Sequence, residues 1–245
     1  MKESVIPSIK EQFFHLKTHY PNLKLTEVNG GLYTISGDLE FVANYAQLEA
    51  IQDKFNITIT VPANYPKNLP TVTENMGRIP KTFHKLEYNT FCLGTPLEIR
   101  IKFSEDPTLY GFVRLLIVPY LFSFCYYERH KEMPYGEYSH GGKGIIEYYK
   151  NKFNTMNDIV VLKLIRMLAE GDDKGYKLCP CKSKKTFKNC HRNIFITINK
   201  LQPKKDFIYE FSQCLDHCKK SGLKLPKSLF SKEIKRLLRK YHYDL

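Results

Sequence analysis

Two groups of residues in this 245-residue chain have the types and spacing to do chemistry. The first is Cys92, in Phe91-Cys92-Leu93-Gly94, at the end of a stretch that begins at His84. A thiolate is a nucleophile, yet a cysteine between apolar neighbours also packs as a small hydrophobe. The setting favours chemistry: a proline-punctuated irregular segment precedes Cys92, an antiparallel strand pattern lies before that, and a hydrophobic helix follows. The second group is Cys179-Pro180-Cys181 with Cys190-His191, three thiols and an imidazole within thirteen residues. Cys3His is a donor set that closes a tetrahedral structural Zn2+ site with no open position. A segment this short and polar has almost no core, so metal binding would supply its folding energy. Cys214 and Cys218, at i,i+4 spacing around His217, are a rival metal pair that reads first as ordinary helix residues.

Stepping outward, 42% hydrophobic and 26% charged residues with no low-complexity tract describe a globular chain and not a disordered one. The net charge of +13 is unevenly placed. Residues 1–173 hold 19 Lys and Arg against 20 Asp and Glu, a net −1, whereas residues 174–245 hold 19 against 5, a net +14. Any argument from charge to a nucleic-acid or acidic partner is therefore confined to the C-terminal third. Residues 110–127, the most apolar stretch, contain Arg114 and Pro119 and are short for a membrane span, so a buried helix is expected and no membrane partner. The N-terminus shows no apolar secretory segment. Seven cysteines, an odd number with three crowded together, fit a reducing compartment and a metal site better than a disulfide framework, which points to the cytoplasm.

The elements that must position these residues follow from periodicity. Ile6, Ile9, Phe13 and Leu16 predict an amphipathic helix over 3–18. Strands are expected at 24–28, 31–36 and 38–43, separated by the turn signals Asn29-Gly30 and Ser36-Gly37-Asp38. Phe55, Ile57, Ile59 and Val61 alternate with polar residues as a half-buried strand. Pro62, Pro66, Pro70 and Pro80 then predict a largely irregular segment to Phe91, with one short strand at 71–74. Residues 98–103 read as a short strand or loop, 110–127 as the buried helix, bent at Pro119, 136–144 as a flexible glycine loop, and 145–153 as a helix. Asn157 or Asp158 caps a further helix to Ala169, and 207–218 and 228–243 read as helices, the latter basic with Lys232, Lys235, Arg236, Arg239 and Lys240. The fold class is α+β: an antiparallel meander sheet with an N-terminal helix and C-terminal helices, plus a small zinc-binding helical appendage. Domain boundaries are expected at 1–153, a linker helix at 154–173, and a module at 174–245.

The element order, the turn Tyr65-Pro66-Lys67-Asn68-Leu69-Pro70, His84 and Phe91-Cys92-Leu93 together resemble the ubiquitin-conjugating enzymes, specifically their divergent bacterial members. The resemblance covers roughly residues 1–153. In that family a strand leads into a Tyr-Pro-x-x-x-Pro turn, then a segment beginning with His, then the thioester-forming Cys followed by Leu. Lys85-Leu86 stand where eukaryotic members have Pro-Asn, so the oxyanion-stabilising asparagine is missing there, and the His84-to-Cys92 interval is shorter. Bacterial relatives often lack that asparagine and occur in ubiquitin-like conjugation operons and antiviral defence operons. The resemblance implies a ubiquitin-like modifier, an activating enzyme and a protein target as partners, with Cys92 as the carrier.

Thioester exchange between sulfurs is close to balanced and needs little acid–base help. Aminolysis also needs an oxyanion donor and a proton acceptor. Asn89 is the candidate donor, and His84 or His140 the candidate base or orienting group; for each, an ordinary loop role is the alternative. Around the metal cluster, Ser183, Lys185 and Cys190-His191 resemble the SEC-C zinc motif, with Lys182 and Lys184 at positions usually held by glycine, so a looser turn is expected. SEC-C segments are usually protein-docking appendages, which favours recruitment of a protein partner over nucleic acid. The expected function is thus a conjugating-type acyl transferase. The alternative is a non-catalytic protein of the same fold whose basic zinc module contacts nucleic acid or an acidic protein.

Overall fold

The structure is a computed structural model that describes residues 7–45, 48–134 and 138–243. It is a mixed α and β fold with one four-stranded antiparallel sheet and several helices, compatible with the α+β class. The chain divides into two compact units, one of Met1–Gly94 with Ile101–Gly136, the other of Thr95–Arg100 with Glu137–Leu245. The division differs from boundaries at 153 and 173, because the helices over 141–153 and 158–170 bury their apolar faces within the C-terminal unit.

The first unit opens with helix α1 (Ile9–His19), whose start is fixed by a capping box between Ser8 and Glu11. Residues 3–6 of the expected helix lie outside the described residues. Its buried face carries Gln12 and Leu16, and Gln12 is a device that hydrophobic periodicity does not reveal. The Gln12 Oε1 accepts from the Tyr65 hydroxyl at 3.1 Å and from the Leu109 amide at 2.9 Å, while its Nε2 donates to the Pro7 carbonyl at 2.8 Å. A single buried side chain thus joins α1, the Tyr65 turn and the start of a later helix.

Strands β1 (Leu23–Val28), β2 (Leu32–Ala43), β3 (Ile51–Val61) and β4 (Thr71–Glu74) pair in sequence order. The Asn29-Gly30 turn forms as expected, since Val28 pairs with Leu32 across it. A second turn at Ser36-Gly37-Asp38 does not form: β2 runs straight through as twelve residues. Gly37 pairs with Leu23 on one side and Ile57 on the other, at φ 139°. A Cβ there would lie 2.3 Å from the Asn22 carbonyl oxygen, so the glycine serves close backbone approach and not reversal. One sheet face is apolar: Ile35 opposes Ile59, Leu39 opposes Phe55, and Ala43 opposes Ile51, all buried. The opposite face exposes Val42 and polar residues, the pattern of a sheet covered on one side.

Helix α2 (Pro96–Glu105) replaces the strand or loop expected at 98–103. The alternation Glu98-Ile99-Arg100-Ile101-Lys102-Phe103 imitates a strand, but the stronger signal is Thr95-Pro96-Leu97-Glu98. The Glu98 amide donates to the Thr95 hydroxyl and the Thr95 amide to the Glu98 carboxylate, with proline at the first helical position. Helix α3 (Leu109–Phe112), a π-helical turn (Val113–Ile117) and helix α4 (Val118–His130) then form one continuous run. Proline lacks a donor and clashes with the carbonyl four residues back, and the wider π turn just before Pro119 absorbs both defects. By length and composition Leu109–His130 could cross a bilayer, but 67% of its most apolar window is buried, with α4 packed on β2 and β3, as for a core helix.

The second unit contains helices α5 (Gly141–Phe153), α6 (Asp158–Glu170), α7 (Arg192–Asn199), α8 (Lys204–Lys220) and α9 (Lys232–Lys240). Asn157 caps α6 as its sequence suggests, accepting from the Val160 amide at 3.1 Å. The glycines expected to form a flexible loop instead begin α5, except Gly136, which lies outside the described residues. A Cβ on Gly142 would stand 2.0 Å from the Gln213 carbonyl oxygen, so its absence lets α5 meet the α8 backbone. Cys214 and Cys218 are buried on α8, and the Cys214 thiol points to the Gly142 carbonyl at 3.7 Å, consistent with packing residues. Helix α7 was not evident in Asn193-Ile-Phe-Ile-Thr-Ile, whose β-branched residues favour strand; Phe195 and Ile198 are buried at helical spacing. The last helix is shorter than 228–243 and begins at the Ser231 cap.

Candidate functional site

In the first unit, residues 84–92 form a small closed hairpin. The Cys92 amide donates to the His84 carbonyl at 2.7 Å, Lys85 and Phe91 form an antiparallel bridge, and the Leu86 amide donates to the Thr90 carbonyl at 2.8 Å. Its tip is a single 3-10 turn over Glu87–Asn89, closed by two consecutive residues in the left-handed region, Tyr88 at φ 57° and Asn89 at φ 58°. The hairpin is joined to the sheet, since the Phe91 amide donates to the Val72 carbonyl at 2.8 Å and Thr90 bridges Thr73.

Cys92 at the hairpin base is half-buried, and Phe91 beside it is core. Helix α4 supplies the floor. The Tyr120 ring stacks on Phe91 at 4.3 Å, and its hydroxyl donates to the Phe83 and His84 carbonyls, each at 3.2 Å. The His84 carbonyl therefore receives both the Cys92 amide and the Tyr120 hydroxyl. Burial, followed by the nearby Cys92 thiolate, pushes the Tyr120 phenol up from its ordinary value, so it stays a protonated donor at neutral pH. Tyr120 was hidden in the sequence as one more apolar helix residue; only its stacking on the residue before the cysteine gives it a role.

Of the other candidate residues, the structure places His84 at the hairpin base with Cys92, in the left-handed region at φ 38°, its ring edge-on to Phe83 at 5.0 Å. Asn89 is exposed at the opposite end, on the tip. Two residue pairs separate tip from base, on the order of 7 Å at ordinary strand spacing. His140 is exposed in the second unit, at the position preceding α5. Cys125, by contrast, is a core thiol: burial pushes it up to about 12, helped by its hydrogen bond to Asp53 at 3.2 Å.

In the second unit, Cys179, Cys181, Cys190 and His191 bring their ligand atoms within 4.8 Å of one another. The His191 Nδ1 lies 3.2 Å from both the Cys179 and Cys190 sulfurs, and the Cys181 and Cys190 sulfurs are 3.4 Å apart. A tetrahedral site with metal–sulfur bonds of about 2.3 Å has edges of about 3.8 Å, so the cluster is the size a single ion requires. The histidine is already in the metal-binding tautomer: its Nε2 donates to the Phe153 carbonyl at 2.8 Å, which leaves the Nδ1 lone pair facing the thiols.

The local fold builds this set from a hairpin and a helix start. The Cys179 amide donates to the Lys185 carbonyl at 2.9 Å, Leu178 bridges Thr186, and the Phe187 amide donates to the Lys177 carbonyl at 2.7 Å. Lys182 and Lys184 occupy the left-handed region at φ 62° and 63°. These are backbone positions that favour glycine, and here lysine side chains occupy them. Backbone amides of Cys181 and His191 point at the Cys179 sulfur. Burial pushes the Cys179 thiol up to about 12. Burial also raises Cys181, but hydrogen bonds from Ser183 and the neighbouring thiols outweigh it and bring that thiol down to about 6. The donor set fits a metal ion.

No protein-family model, curated protein or solved structure matches this chain.

Proposed function

We propose that the protein is a conjugating-type acyl transferase that carries the C-terminus of a ubiquitin-like modifier as a thioester on Cys92. One observation carries this reading: a half-buried thiol at the base of a hairpin pinned through the His84 carbonyl and Tyr120, after a helix and a four-stranded meander. This order of elements resembles that of the ubiquitin-conjugating family, and the resemblance supports Cys92-Leu93 as the counterpart of its thioester-forming cysteine. In the charging step the Cys92 thiolate attacks the carbonyl carbon of a modifier held as a thioester on its activating enzyme. A bond forms from Cys92 sulfur to that carbon, and the donor cysteine leaves as a thiolate. In transfer, a target amine attacks the same carbon, Cys92 leaves as thiolate, and the amine proton passes to a base. His84 is the nearest of the candidate groups in the hairpin to take or orient that proton.

The Cys3His cluster supports a structural Zn2+, because all four donors come from the chain and leave no open coordination position. The odd number of cysteines and the crowding of three of them at 179–190 support a reducing, cytoplasmic location.

The test is a chemical trap. Cys92→Ser should accumulate an oxygen-ester adduct in the native cell that resists thiols and is cleaved by alkali. The wild-type adduct should be released by dithiothreitol, and Cys92→Ala should show none. No adduct on either wild type or Cys92→Ser, or one that persists in Cys92→Ala, would refute the assignment.

A further inference from the structure

The metal-binding hairpin presents an outer surface that its folding does not use. Tyr176, in the turn that leads into it, and Leu178, at its bridge, are 76% and 73% exposed, just before Cys179. The register sets Leu178 across from Thr186 and brings the Lys188 amide onto the carbonyl of Gly175, the residue before Tyr176, at 2.9 Å. Lys182, Lys184, Lys185 and Lys188 are exposed and form no salt bridge among the described residues. The two nearby carboxylates are already neutralised, Asp172 by Lys177 at 3.1 Å and Asp173 by Arg192 at 3.0 Å. What remains is an exposed aromatic ring, an exposed apolar side chain and four exposed lysines within thirteen residues, on a hairpin closed by its own hydrogen bonds.

We propose that this hairpin binds single-stranded nucleic acid, with a base stacked on Tyr176 and the phosphates following Lys182, Lys184, Lys185 and Lys188. Single strands offer both things the surface asks for, a flat π face for the exposed ring and a spaced row of anions for the lysines. An acidic polypeptide would satisfy the lysines and leave Tyr176 and Leu178 in water. Duplex would offer phosphates but no free base. The chemistry is independent of Cys92.

The experiment uses the full-length protein with one equivalent of Zn2+ and a fluorescein-labelled oligo-dT, read by anisotropy across a salt series. Affinity should fall as salt rises. Tyr176→Ala should weaken binding at least about fivefold and Tyr176→Phe should retain it, as expected for loss or preservation of one stacked base. The combined Lys184→Gln, Lys185→Gln and Lys188→Gln variant should reduce the slope of log affinity against log salt by about 2, at about 0.7 per phosphate contact in single strands. Cys92→Ala should bind as wild type does, so a failed acyl-transfer reading leaves this result standing. The inference is overturned if wild type shows no binding at low salt, if Tyr176→Ala binds as tightly as wild type, or if poly-glutamate displaces the strand at equal charge concentration. The last outcome would assign the surface to an acidic protein.

Discussion

Glu210 on α8 is wholly buried, and replacing it with glutamine should remove its own share of the pH dependence of the second unit's stability. Its Oε2 accepts from the Tyr149 hydroxyl at 2.7 Å and the Gln202 amide at 2.6 Å, and its Oε1 accepts from the Leu97 amide at 3.1 Å, at the first turn of α2. Burial raises its ionisation from 4.5 to about 7, the three donors opposing this only in part and Asp206 adding to it. Arg100 is engaged with Asp206 at 3.5 Å. In the unfolded chain Glu210 ionises near 4.5; in the folded chain it holds its proton to about 7. Between these values the folded state binds more protons, so its contribution is fully present below 4.5 and is lost as pH rises through 7. At 1.36 kcal/mol per pH unit the loss amounts to about 3 kcal/mol. Glu210→Gln keeps the shape without the charge, and its amide can face Gln202 Oε1, which has no partner among the described residues. Urea unfolding at pH 5 and pH 8, followed by circular dichroism, gives the wild-type-minus-variant difference at each pH. Every other ionisable group is common to both proteins and cancels in that difference. The difference should shift against wild type by most of 3 kcal/mol on going to pH 8; a change below about 1 kcal/mol, or one of opposite sign, would refute the reasoning.

Three further outcomes follow from the geometry. Lys182→Gly and Lys184→Gly should each stabilise the metal hairpin by about 0.5–1 kcal/mol, since relief of a left-handed side-chain conformation exceeds the added backbone entropy of glycine; chelator titration of each variant against wild type measures it. The purified protein should hold one Zn2+ per chain by elemental analysis, and Cys190→Ser should lose it; full zinc content in the variant would remove Cys190 from the site. Tyr120→Phe should cost about 1 kcal/mol in urea unfolding through the lost hydrogen bonds to the Phe83 and His84 carbonyls, and should change the alkylation rate of Cys92 by iodoacetamide. Unchanged stability and alkylation would mean that the hairpin is held without that hydroxyl.

Much of the sheet was legible because a half-buried strand must alternate, and Phe55, Ile57, Ile59 and Val61 do so. The α6 cap at Asn157 was legible for a similar local reason, a side-chain acceptor just ahead of an apolar helix. Gly37 misled because glycine has two uses, and only the Asn22 carbonyl beside it shows that this one permits close approach. Residues 98–103 misled because alternation over six residues fits a strand and an amphipathic helix alike, although Thr95 and Glu98 spelled the cap. Gly142 and Gly144 looked flexible until α8 was seen packed against the first of them.

The sequence by itself determined the chemical inventory: which thiol stands alone after the proline-rich segment, which four residues have metal-ligand spacing, and where the positive charge lies. Those are properties of residue type and short separation, which the chain carries into any fold. Tertiary structure alone decided which groups share a site. Tyr120 comes 28 residues after Cys92 and reaches it only because α4 lies under the hairpin. Phe153 ends α5, and its carbonyl fixes the His191 tautomer only once the metal hairpin has docked beside it. Gln12 and Glu210 are polar residues whose roles exist only in the interior, where a lone donor or acceptor is costly and each gathers partners from segments far apart in the chain.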